Sequence, residues 1–194
     1  MAERRKLSDD ERSIAWPVFK DSLPYDHIMI ADNLGAGDAQ FTHREPGKYV
    51  LHMGRIAFDE DYDDYHKEVL IHELTHVWQG HHGLVSWDFM VQSLTCQAKA
   101  IGKALFTRGT PLKDSRNAAY VYTPGKLFQD YNVEQQAIIV EDWYKYQRAG
   151  RSEAEYLWIY IRANIQPGVE RAFRTVREMN RWDSLHPEDP MPLI

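Results

Sequence analysis

Residues 69–83 read VLIHELTHVWQGHHG, a stretch that fits little besides an amphipathic helix. Leu70, Ile71, Leu74, Val77 and Trp78 recur at intervals of three and four, which gathers them on one side of a 3.6-residue turn. His72 and His76 are four apart, so on that helix their imidazoles stand one above the other on a shared face. Such a helix must bury its apolar side against the rest of the chain, and it then presents two imidazoles together at the edge of the core.

Two imidazoles at this spacing can reach one divalent cation at about 2.0–2.1 Å each. Glu73 lies about 100° round the helix from His72, close enough to face a water in the cation's open position. His-Glu-x-x-His on a helix is the signature of zinc-dependent hydrolysis. The bland reading, two helix histidines bonded to neighbours beside a solvated glutamate, leaves the joint spacing and amphipathic setting unexplained. A catalytic zinc takes three protein ligands and a water, so one further ligand is required. His82 stands at the offset of an extended motif, but that motif wants a glycine turn where this chain has Gln79, with Gly80 one place late. Glu134 lies in the first turn of the next strong helix, and small Ala137 one turn on lets a neighbouring helix approach. It could equally serve only its own helix N-terminus. Glu141 follows two turns later on the same face, ~10 Å from Glu134, so only one of the two can bind the ion.

The rest of the chain sets the frame for that helix. Its 194 residues suit a single domain over 1–194, and 43% hydrophobic with 27% charged residues are the proportions of a folded, soluble chain. A formal charge of -6 argues against nucleic acid or a polybasic membrane surface as partner. No stretch is long enough for membrane insertion, and MAERRKLSDDERS lacks the apolar run of a secretory signal. Cys96 is the one cysteine, which excludes an internal disulfide and reads as a small buried hydrophobe. SDDE at 8–11 is a capping box for a helix that Pro17 should kink or end. Residues 25–33 and 47–54 have the content of two short strands, with a turn or loop over 33–40. Helical spacing returns over 86–106, and a loop with Pro and Gly spans 107–131. NVEQ at 132–135 caps a helix to about Ala149, SEAE at 152–155 caps another, and a fourth runs to about Trp182 before a proline-rich tail. DEDYDD at 59–64 lacks the glycine and terminal glutamate of a calcium loop and reads as a solvated acidic face. The aromatic residues of 143–160 read as core and its margin. The expected architecture is α+β, mostly helical, with a small sheet near the start.

LIHELTHVWQ (70–79) followed by DYNVEQQAIIVEDWY (130–144) resembles a known group. These segments are similar to the small zinc-metallopeptidase toxin domains at the C-termini of bacterial type VI secretion spike proteins and Rhs-like polymorphic toxins. The resemblance is clearest over about residues 66–145, and the pairing of THVWQ with NxEQQA is its more specific part. It implies a zincin-like, gluzincin-type domain in which His72, His76 and Glu134 bind Zn2+ and Glu73 is the catalytic base. It also implies a protein or peptide substrate and a secreted antibacterial effector that needs no classical signal peptide. Such an effector acts in a rival cell, for instance in its periplasm, and is met there by a cognate immunity protein. Many gluzincins place an aspartate four residues after the ligand glutamate to steady a zinc histidine; this chain has Ile138 there. Tyr120, Tyr122, His81 and His82 are candidates to hold the oxyanion. Two other accounts use the same residues: a housekeeping or envelope-processing zinc peptidase, and a non-enzymatic module whose zinc is closed by His81 or His82 as a fourth ligand.

Overall fold

A computed structural model describes residues 2–35, 38–82 and 120–166. The helix expected over 86–106, most of the loop over 107–131, Cys96, the last helix and the tail lie outside the described residues.

The chain opens with a short strand, β1 (Arg4–Lys6), and a helix, α1 (Asp9–Phe19). Ser8 caps α1 by accepting from the Glu11 amide, and Glu11 accepts from the Ser8 amide in return, as the SDDE motif requires. Pro17 neither breaks nor shortens the helix before its last turn; α1 ends two residues later, where Lys20 adopts a φ of 47°. Proline costs an amide there, but so near the C-terminus little helix remains to lose. Glu11 is wholly buried. Its carboxylate receives both Arg5 Nη atoms at 2.7 and 2.9 Å and the Tyr62 hydroxyl at 2.5 Å, so one residue ties β1, α1 and the approach to the motif helix.

Two strands were expected near the start and four are present. β2 (Ile28–Ala31), β3 (Phe41–Glu45) and β4 (Lys48–His52) join β1 in the order β1-β2-β4-β3. β2 runs parallel to β4, while β1 and β3 are antiparallel edges. Tyr25–His27, expected as strand, forms a 3-10 turn instead. The unexpected strands are the edges, where one side of the backbone needs no apolar cover; Arg4–Lys6 and Phe41–Glu45 are accordingly polar in sequence. β3 and β4 form a tight hairpin closed at Glu45 and Lys48, with Gly47 at φ 75° supplying the left-handed turn position.

After a four-residue helix, α2 (Arg55–Phe58), comes the motif helix α3 (Asp64–His81), capped by the Asp63 side chain on the His66 amide. Leu70, Ile71, Leu74 and Val77 are fully buried, as the spacing of apolar positions requires, and each contributes roughly 1.5–3 kcal/mol by burial. α3 packs on α1, β3 and β4, and also on α4 (Val133–Arg148). α4 starts with the Asn132–Gln135 capping box and ends at Ala149 before Gly150, whose φ is 64°. α5 (Glu153–Tyr160) follows and continues as a π-helical turn over Ile161–Ile165. Ser152 makes no side-chain cap, contrary to the SEAE reading. Trp143 and Trp158 stack at 5.2 Å between α4 and α5, and Trp143, Tyr144 and Tyr160 are buried. The described residues are mixed α and β, mostly helical, with a small sheet. No described helix is long and apolar enough to cross a membrane.

Candidate metal centre

The face of α3 that carries His72 and His76 packs against α4. His72, His76 and Glu134 come together there, each offering a ligand atom within 4.8 Å of the others. The Nε2 atoms of His72 and His76 lie 3.4 and 3.5 Å from one oxygen, Oε2 of Glu134. Two ligands about 2.0–2.1 Å from a shared tetrahedral ion stand roughly 3.3–3.4 Å apart, so the spacing found fits donors that share one such ion. Glu134 is 2% exposed, a burial that its place in the capping turn does not demand. Two nitrogens and one carboxylate oxygen are a donor set that could hold a divalent metal ion.

Each imidazole is also gripped by its other nitrogen. His72 Nδ1 is 2.9 Å from Glu141 Oε2, and His76 Nδ1 is 2.9 Å from Gln79 Oε1. Both oxygens accept, which fixes the Nδ1–H tautomers and leaves each Nε2 lone pair for an ion. Glu141 therefore holds the far side of the His72 ring and does not enter the cluster. It fills the supporting role that Ile138 cannot, one turn later than the resemblance would place it. Gln79 is fully buried and passes the chain of hydrogen bonds on, donating from Nε2 to Val133 O and to Gln136 Oε1. Gln136 in turn donates to Phe128 O and Tyr131 O. The residue that looked like a defect in an extended motif is a bridge from α3 to the start of α4. The sequence carried one signal of this, an uncharged amide amid the apolar residues of a core helix.

Glu73 is also buried, and Thr42 on β3 donates to its Oε2 at 2.7 Å. The edge strand thus orients the residue expected as base. Neither β3 nor Thr42 was recognised in the sequence. Tyr120 has its ring centre 6.4 Å from that of His72, whereas the Tyr122 hydroxyl donates to Asp142 Oδ2. His82 is exposed; its Nδ1 pairs with the Trp78 carbonyl at 3.0 Å and its ring rests 4.9 Å from the Trp78 ring. That pairing turns His82 onto its own helix, and His81 packs beside it rather than on the cluster.

Electrostatics follow from the geometry. Burial lowers the pKa of His72, but hydrogen bonds to Glu134 and Glu141 outweigh it and raise the value to about 10. His76 is likewise raised, Glu134 overcoming the effect of burial. Glu134 is held far below the usual carboxylate range, because the two imidazoles outweigh a desolvation that alone would raise it. The site thus concentrates negative potential on a point between three donors and draws protons there when no stronger cation competes.

No protein-family profile matches the chain. Over 150 residues it is 33% identical to the type VI secretion system spike protein VgrG2b of Pseudomonas aeruginosa, a match that covers 72% of this chain. The chain spans 13% of that spike protein's length. Among solved structures it is similar to the effector domain of Pseudomonas aeruginosa VgrG2b, with a TM-score of 0.52 and 27% identity over 84% of this chain and 83% of that one. In sequence and in fold, this chain is a homologue of a type VI effector domain.

Proposed function

We propose that the chain is a zinc metallopeptidase acting as a type VI secretion effector, with His72, His76 and Glu134 as the zinc ligands and Glu73 as general base. The observation that carries this reading is the convergence of two tautomer-fixed imidazoles on the buried Glu134 carboxylate, with a strand-anchored Glu73 on the same helix. Zinc in that position supplies Lewis acidity, polarising a carbonyl and bringing the ionisation of water into the neutral range. The protein's own residues do the rest. Thr42 fixes one oxygen of Glu73, leaving the other to take a proton from the attacking water and return it to the departing amine. Of the candidates for the oxyanion we favour Tyr120, whose ring centre stands 6.4 Å from that of His72. No fourth histidine, cysteine or carboxylate joins the cluster among the described residues, which favours an open, hydrolytic site over a closed structural one. Kinship with the VgrG2b effector domain supports a secreted effector; delivery into a rival bacterium, action in its periplasm and a cognate immunity protein belong to the same proposal.

The test combines metal analysis with a peptide panel. The parent should carry about one equivalent of zinc and cut peptides. Glu73→Gln should keep the zinc and lose roughly 10²–10⁴-fold in rate, because a base is lost and a ligand is not. Glu134→Ala should lose the zinc. Stoichiometric zinc in Glu134→Ala, or undiminished cleavage by Glu73→Gln, would refute the assignment.

A further inference from the structure

Beside the proposed zinc site lies a cavity of about 240 Å³ between α4, α5 and residues 120–124. It is smaller than the roughly 300–1,000 Å³ of sites for drug-sized ligands, so it suits a side chain more than a whole metabolite. Tyr120, Tyr122, Tyr146 and Tyr156 give it aromatic walls, and Asp142 and Glu153 are its charged members. No lysine or arginine lines it among the described residues.

The two carboxylates differ in their commitments. Glu153 is paired with Arg151, whose guanidinium also covers the Tyr146 ring at 4.5 Å, so one wall of this cavity already attracts a cation from its rim. Asp142 receives the Tyr122 hydroxyl on Oδ2 at 2.9 Å, while its Oδ1 has no hydrogen bond among the described residues. Burial raises the Asp142 pKa, and the neighbouring Glu141 adds to the rise against the Tyr122 bond that opposes it. A partly buried carboxylate in that state is stabilised as an anion when a cation joins it.

Tyr120 links the cavity to the proposed zinc site, lining the one while standing 6.4 Å, ring to ring, from His72. Asp142 follows Glu141, the residue that holds His72 Nδ1. Along α4, Asp142 is eight residues from Glu134, about 12 Å by helical rise. A four-carbon amine stem plus one residue of extended chain, at roughly 3.3–3.6 Å per residue, spans much of that interval. The loop that supplies Tyr120 and Tyr122 is pinned in place: Gln135 Nε2 donates to Val121 O at 2.7 Å and the Tyr131 hydroxyl to Thr123 O at 2.7 Å.

We infer that this cavity is a recognition pocket for a primary ammonium, the lysine-like side chain of a peptide substrate, with Asp142 Oδ1 as counter-ion and the tyrosine faces as its cage. The identity of the occupant as substrate rests on the hydrolase reading above; the binding preference itself does not.

The experiment is a pair of measurements on the full chain. Nα-acetyl-lysine methylamide and its neutral counterpart, Nα-acetyl-norleucine methylamide, are titrated by NMR. The lysine ligand should bind about tenfold more tightly, and Asp142→Asn should reduce that ratio to threefold or less. Tyr156→Leu, which removes an aromatic wall and no charge, should lower the ratio as well and serves if Asp142→Asn does not fold. Equal binding of the two ligands, no binding of either, or a ratio unchanged in the variants overturns the pocket. Peptides matched except for lysine or norleucine near the cut bond are then compared. Cleavage without a lysine preference refutes the pocket as a substrate-recognition site and leaves the hydrolase reading standing. A lysine preference in binding with no cleavage of any peptide refutes the hydrolase reading and leaves the pocket.

Discussion

Gln79 shows how much of the site depends on residues that would never touch the ion. Its Oε1 accepts from His76 Nδ1 and its Nε2 donates across to α4, so a single amide sets the tautomer of one proposed ligand and the docking of the helix that carries another. Gln79→Leu keeps the volume and removes both roles. We expect zinc affinity to fall about 10–100-fold, as when other supporting bonds to ligand histidines are removed. Chelator competition measures it, and an affinity equal to the parent's would show that the His76 ring is held by packing alone. Residue-scale support of this kind is hard to read from a linear chain. The His72–His76 spacing announces itself because helical geometry links i to i+4, whereas Thr42 meets Glu73 across 31 positions and no local rule connects them.

Among the elements, α1 and β1 contribute stability away from the proposed site. Glu11 caps α1, pairs with Arg5 and receives Tyr62, all from a position with no exposure. Glu11→Ala would strand a guanidinium and a hydroxyl that are both partly buried, at a cost of about 3 kcal/mol. Urea unfolding would show it, and a loss below 1 kcal/mol would mean that the Arg5 bonds to Phe58 O and Ala57 O suffice. The sheet should also give a pH response through buried His52. Burial, reinforced by neighbouring His43 and Arg4 and opposed by Glu45, lowers the His52 pKa to about 4. The unfolded chain, with His52 near 6.5, then binds more protons than the folded one between pH 6.5 and 4. Stability should therefore fall as pH drops through that window, and His52→Gln should flatten the fall in melting temperature. Parallel curves for parent and variant would count against it. The element count was legible only in part, since β1 and β3 lack alternating apolar residues and became strands through pairing with β2 and β4. α3 and α4 were legible because apolar spacing and capping boxes are local.

At the scale of the whole molecule, the sequence reading identified a motif helix and a partner helix and favoured Glu134 over His82 and Glu141, but spacing alone left the three open, because that choice depends on how α3 and α4 cross. The crossing brings Glu134 to the two imidazoles and sets Glu141 behind one of them. A ligand that binds only the folded chain stabilises it, by roughly 2.7 kcal/mol at a hundredfold excess over its dissociation constant. Stripping metal with EDTA should accordingly lower the melting temperature of the parent and leave that of Glu134→Ala unmoved. A parent that melts at the same temperature with and without chelator would contradict this.

His76 and Glu134 are 58 positions apart in the chain. An ion gripping both closes a long ring, a removable cross-link whose entropic effect on the unfolded chain matches that of a disulfide of equal span, about 4 kcal/mol. Supply of the ion and maturation of the fold then become one equilibrium, so a compartment poor in the metal would receive a chain that is both inert and easily degraded.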